Sequence, residues 1–223
     1  MCLTLTPVQR KIMDKLTAPD KRGKQIKVGP SALGGCPYCL GKQLAFTLPK
    51  TYPDLKHKPE SNYAAWFGTM IHYALDKLLG LGMSESKWPV YFLEGYGQIS
   101  GSVDLVLDNE VVDFKVVGKS SFDKMRLAKR KEPDKIPLTG YRVQQMTYAY
   151  ALRQAGHEIE AVNLMVFNKT GWQWKDVVFY RELYNEQLVL DTFARLEKIW
   201  GIVQEGKLED LPYDKGCFNC DRW

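Results

Sequence analysis

The chain has 223 residues, 45% of them hydrophobic and 26% charged, and a net charge of +5. That is enough apolar material for one sizeable core, with room for a small appendage. No apolar run is long enough for a bilayer-spanning helix, which excludes a membrane channel or transporter built on such helices. The opening MCLTLTPVQRKIMDKL also lacks a charged-then-apolar export pattern, so a cytoplasmic location is expected.

The positive charge is uneven. Residues 10–27 hold seven Lys/Arg against two Asp, and residues 119–135 hold seven against three acids. Such segments suit a polyanion such as nucleic acid, and equally make solvated loops or helix faces.

In chain order, residues 7–17 read as a short helix with Pro7 near its start, followed by a basic link to about residue 30. Ser31 precedes Ala-Leu-Gly-Gly-Cys36-Pro-Tyr-Cys39, and residues 40–48 continue as helix. The proline-rich 49–62 is an exposed loop. Residues 63–80 have apolar positions at helical spacing, with His72 in the middle and Gly80 or Gly82 at the end. Residues 88–94 read as a strand. Residues 101–107 (GSVDLVL) and 111–117 (VVDFKVV) read as two strands joined at Asp108-Asn109, a hairpin signal.

After the hairpin, residues 119–135 read as a long basic connector with polar turns. Residues 140–155 are a helix stopped by Gly156. Strands follow at 161–167 and 172–180 around a turn at 168–171, and a long helix covers about 184–204. No internal repeat or low-complexity segment is present. This order predicts one α/β domain spanning 1–223, with a central mixed sheet flanked by helices.

The hairpin carries the chemistry. Asp113 and Lys115 are two apart on a strand, so both lie on one face, roughly 6–7 Å apart along the chain. A lone buried Asp or Lys is costly, and a metal or a partner charge is the usual remedy. Asp104 on the neighbouring strand supplies a second carboxylate. Two carboxylates and a lysine at one spot can hold a divalent metal and an attacking water, or form a plain ion pair.

Four of the five cysteines form two C-x-x-C pairs, Cys36/Cys39 and Cys217/Cys220, near opposite ends of the chain. Two such turns can complete a tetrahedral thiolate set. Zinc and an iron–sulfur cluster both accept four thiolates. Either would staple segments 31–48 and 207–223 to each other, around a core of about 63–204. Cys2 lies outside the pattern. Asn168-Lys-Thr170 matches a glycosylation sequon that a cytoplasmic chain would not use. Gly95-Tyr-Gly97 falls short of a dinucleotide fingerprint, and no phosphate-loop motif is present. Trp172 and Trp174 share a strand face as packing or edge aromatics.

In order, then, the chain carries Gly68-x-x-x-His72, Gly101-x-x-Asp104, Asp113-x-Lys115 and Gln144-x-x-x-Tyr148 inside a cysteine frame. This series resembles the RecB-like branch of the PD-(D/E)XK nuclease superfamily. With its cysteines it is similar to the iron–sulfur members: CRISPR-associated RecB-like exonucleases, their phage-encoded relatives and AddB-type subunits. The resemblance covers about residues 31–220. It implies a restriction-endonuclease-like core and a DNA exonuclease acting in recombination, repair, phage DNA processing or CRISPR adaptation, within a bacterial, archaeal or phage-infected cell.

The resemblance also implies that His72, Asp104, Asp113 and the Phe114 carbonyl bind Mg²⁺ or Mn²⁺. Lys115 would position or deprotonate the attacking water, and Gln144 and Tyr148 would line the DNA side. The four cysteines would hold a [4Fe-4S] cluster, set slightly ahead of Zn²⁺. Two departures stand out: the cysteines split two and two where the family commonly has one and three, and Asp113 stands where the family often has Glu. A structure-selective endonuclease of the same fold and a non-catalytic DNA-binding module with a zinc staple are the rivals.

Overall fold

A computed structural model describes residues 27–55, 63–80, 82–137, 139–171, 173, 176–214, 217 and 220, with the backbone alone at 63–66 and 84–85. The expected helix at 7–17, most of the basic link after it, and Trp172 and Trp174 lie outside the described residues.

The chain begins with two short helices, α1 (Pro30–Leu33) and α2 (Pro37–Ala45). Each has proline in its first turn, where the missing N–H costs nothing. Next come α3 (Tyr63–Leu79), β1 (Met83–Leu93), β2 (Gly97–Leu107) and β3 (Glu110–Val117). They are followed by α4 (Lys119–Lys131), α5 (Thr139–Gln154), β4 (Ala161–Asn168), β5 (Val177–Leu183) and α6 (Glu186–Gln204). A 3₁₀ turn at Leu208–Asp210 leads into the cysteine tail. Asn185 caps α6, its side chain accepting the Leu188 N–H at 3.0 Å.

The five strands form one sheet in sequence order, β1-β2-β3-β4-β5. All neighbours are antiparallel except β3 and β4, which run parallel. A parallel pair needs a crossover, and α4 with α5 provides it. The expected mixed sheet flanked by helices is therefore present.

The core gathers the sheet's inward residues Ile99, Val103, Val111, Val162, Leu164 and Val166 against Met146, Leu152, Leu196 and Val203 of α5 and α6. Burying each such side chain is worth about 1.5–3 kcal/mol. The sequence reading needs a correction at 119–131, where the expected connector is a helix. Only Phe122 and Met125 of α4 are buried. They sit three apart, and the Tyr180 hydroxyl of β5 donates to the Met125 carbonyl. Two apolar anchors among six basic residues are too thin a stripe for periodicity to register.

Candidate active site

The β2–β3 hairpin turns at Asp108 (φ 47°) and Asn109 (φ 63°). Both central residues are left-handed, the primed turn that Asp and Asn tolerate. Ladder pairing between the two strands covers only Leu105–Leu107 against Glu110–Val112. Beyond it β2 continues against β1 while β3 continues against β4. The gap between β2 and β3 leaves backbone groups of β3 in need of partners.

Side chains fill that gap. The Phe114 N–H donates to Asp104 Oδ2 at 2.8 Å. The Phe114 carbonyl lies 2.9 Å from His72 Nε2. His72 Nδ1 in turn lies 3.1 Å from Asp104 Oδ1. One peptide of β3, one carboxylate of β2 and one imidazole of α3 thus close a ring. The Asp104 hydrogen bond raises the His72 pKa above its ordinary value, against the opposing effect of burial. Each ring nitrogen thus faces an oxygen, the Phe114 carbonyl on one side and the Asp104 carboxylate on the other.

Beside this ring, Asp113 and Lys115 share a strand face, as their spacing requires. Lys115 Nζ donates to Asp113 Oδ1 at 2.9 Å and lies 2.7 Å from Oδ2. Asp113 is only 2% exposed. Its Oδ2 is buried with no hydrogen bond of good geometry, so the charge contact with Lys115 is its main compensation. Burial pushes the Asp113 carboxyl up despite the ammonium beside it. For Lys115, burial lowers the pKa, but Asp113 and Asp104 outweigh it and raise it. Lys115 is therefore an ammonium at neutral pH.

Gln144 and Tyr148 are both buried in α5, with Gln144 Nε2 3.4 Å from the Tyr148 hydroxyl. Tyr148 reaches β2 at Gly101, where an added Cβ would lie 2.7 Å from its hydroxyl and 2.8 Å from Pro30 Cδ. Glycine in the G-x-x-D motif is thus a packing requirement. It lets α5 and α1 press on β2 three residues before Asp104.

Sequence reasoning missed Tyr141. The Lys115 ammonium sits 5.4 Å from its ring centroid, a cation–π distance. Residues 141, 144 and 148 follow i, i+3, i+7 on one helix face, so extending that face back one turn would have found it.

The cysteines meet as expected. Cys36, Cys39, Cys217 and Cys220 have all sulfurs within 4.8 Å of one another and form no disulfide. They are the one set of three or more candidate metal donors gathered this tightly among the described residues. His72, Asp104 and Asp113 adjoin one another more loosely, with Asp113 turned to Lys115. Arg195 of α6 donates to the carbonyls of Leu33 (2.7 Å) and Gly35, fixing the approach to Cys36.

No family model and no curated protein matches the chain. Among solved structures it is similar to an alkaline exonuclease from Laribacter hongkongensis, with 13% identity, a TM-score of 0.55, and 83% of this chain and 91% of that one covered. A phage-related exonuclease from Haemophilus somnus 129PT superposes with 15% identity and a TM-score of 0.49 over 82% of this chain and 94% of that one. At 13% identity the likeness to the Laribacter structure is one of fold alone. Among the described residues no helix is long and apolar enough to cross a membrane.

Proposed function

We propose that the chain is a RecB-like, Mg²⁺- or Mn²⁺-dependent DNA exonuclease acting on DNA ends or single strands. The observation that carries this is the Phe114 peptide held between Asp104 and His72, with the buried Asp113–Lys115 pair next to it. A buried carboxylate–ammonium pair is costly to keep for structure alone. The donor set of one imidazole, two carboxylates and one carbonyl suits Mg²⁺ or Mn²⁺. The exonuclease named among the fold neighbours agrees with this reading.

His72, Asp104, Asp113 and the Phe114 carbonyl would hold the ion, which when bound polarises the phosphate and activates water. Asp113 keeps Lys115 charged and aimed. The Lys115 ammonium faces the negative charge that builds on the phosphoryl oxygens as water adds and the sugar oxygen leaves with a proton. Lys115 would also position or deprotonate the attacking water. Gln144 and Tyr148 form the wall behind β2 on the DNA side and set the position of Asp104 through Gly101. The basic helix α4, starting one residue after the D-x-K strand, offers exposed Lys124, Arg130 and Lys131 to the DNA backbone.

The cysteine set serves folding, joining 31–48 to the tail after 207 beside one nuclease domain. We place the enzyme in the cytoplasm of a bacterial, archaeal or phage-infected cell, in recombination, repair, phage DNA processing or CRISPR adaptation. The test is cleavage of labelled linear DNA with Mg²⁺ or Mn²⁺, with Asp104→Asn alongside. Metal-dependent loss of label that the variant lacks is expected. Tight DNA binding with no cleavage under either ion would replace the nuclease by a binding module. Cutting of circular single strands would make it an endonuclease.

A further inference from the structure

The four-cysteine centre resolves further on geometry alone. The sulfurs of Cys36 and Cys220 are 3.5 Å apart, those of Cys39 and Cys217 3.7 Å, and those of Cys39 and Cys220 3.2 Å. No pair of the four exceeds 4.8 Å. One tetrahedral zinc with bonds of about 2.3 Å sets its thiolates about 3.8 Å apart. A four-iron cubane carries each thiolate outward on a different iron, which spreads the sulfurs to roughly 6 Å. The observed spacing leaves room for one ion at the centre and none for a cluster.

The surrounding backbone gives the sulfurs little freedom to spread. Cys36 caps α2, and Cys39 lies in its first turn. That helix is pressed onto the C-terminal segment: a Cβ on Gly41 would lie 2.1 Å from Leu211 Cδ1. On the other side, Arg195 ties the carbonyls of Leu33 and Gly35 to α6. Among the described tail residues, the Cys220 N–H donates to the Cys217 carbonyl at 3.1 Å and the Cys217 N–H to the Asp214 carbonyl at 3.0 Å. Widening the site would mean lifting α2 off Leu208 and Leu211, both buried.

We infer that Cys36, Cys39, Cys217 and Cys220 hold a single tetrahedral zinc ion, and that the iron–sulfur cluster implied by the family resemblance does not fit this chain. The two-and-two division of the cysteines agrees, since each C-x-x-C turn contributes one edge of the tetrahedron. Zinc has no redox chemistry, so the centre is a structural clamp and carries no electrons. The Arg195 guanidinium lies near enough for the Cys36 thiolate to act on its pKa, and offsets part of the charge of four thiolates.

The test is metal analysis of the full-length protein purified without oxygen from cells supplied with both iron and zinc. One zinc per chain is expected, with no iron, no acid-labile sulfide and a colourless solution. Replacing zinc by Co²⁺ should give the visible bands of a tetrahedral thiolate site. About four irons and four sulfides per chain, with broad absorption near 400 nm, would overturn the inference. So would protein that carries no bound metal and melts at the same temperature with and without zinc. Cys217→Ser should lower both the zinc content and the melting temperature, and unchanged zinc content would count against the inference. Should it fail to fold, Cys217→His serves instead: it should keep one zinc per chain, and iron in its place would count against the inference. These readouts are independent of DNA cleavage, so failure of the nuclease reading and failure of this one are separable.

Discussion

Lys115→Met is the most informative single change, because the structure sets its cost and the way that cost varies with pH. Asp113 is 2% exposed and takes its compensation from Lys115 Nζ at 2.7–2.9 Å. Removing one partner of a buried ion pair costs about 3–5 kcal/mol. Replacing both partners by neutral groups of similar size is often close to neutral, so Asp113→Asn/Lys115→Met should lie within about 1 kcal/mol of wild type. Burial already raises the Asp113 pKa, and loss of Lys115 raises it further. A carboxyl whose folded pKa exceeds its unfolded value binds a proton on folding. The destabilisation by Lys115→Met is therefore greatest at neutral and higher pH and fades as pH falls through the folded pKa. Urea unfolding of the four members of the cycle at two pH values measures this. A Lys115→Met protein as stable as wild type at pH 7.5, or one equally destabilised at both pH values, would refute a buried, mutually compensated pair.

Gly101→Ala should cost about 1–3 kcal/mol by forcing α5 or Pro30 off β2, and it should lower cleavage more than zinc content; unchanged melting would remove the close contact. Glu182→Ala strips the acceptor from the Ile136 N–H (2.9 Å) and from Arg142 Nε (2.6 Å). Thermal or chemical unfolding should show a loss of about 2–4 kcal/mol with the cysteine metal retained. The triple change Lys124→Glu/Arg130→Glu/Lys131→Glu on α4 should weaken DNA binding and flatten its dependence on salt by about 2–3 in log–log slope. Equal slopes for this variant and wild type would place the DNA elsewhere.

The hairpin was legible because Asp-Asn at a primed turn and alternating β-branched strands are local signals. The cysteine pairs were legible because two C-x-x-C turns in one chain are rare by chance. The identity of His72, Asp104 and Phe114 as neighbours came from motif order. Their actual linkage came from something no residue pattern states, the parting of β2 and β3 after Leu105↔Val112 that leaves the Phe114 peptide to side chains. Tyr141 escaped because the Gln144-x-x-x-Tyr148 motif stops one turn short of it on the same helix face, and only the placing of Lys115 over its ring marks it. Helix α4 escaped because Phe122 and Met125 bury too little to mark a face among so many lysines and arginines. The width of the thiolate cage is likewise tertiary: Gly41 against Leu211 sets it, and the C-x-x-C spacing alone admits zinc and cluster alike.

The most direct measurement is time-resolved digestion of end-labelled linear single-stranded and duplex DNA by the purified chain with Mg²⁺, with Mn²⁺ and with neither. His72→Ala, Asp104→Asn and Asp113→Asn are run beside it, each checked for folding by its retained cysteine metal. The account predicts stepwise shortening from an end that needs the divalent ion and disappears in all three variants. Cleavage that persists in Asp104→Asn or Asp113→Asn, or that proceeds without a divalent ion, would contradict the site assembled around Phe114.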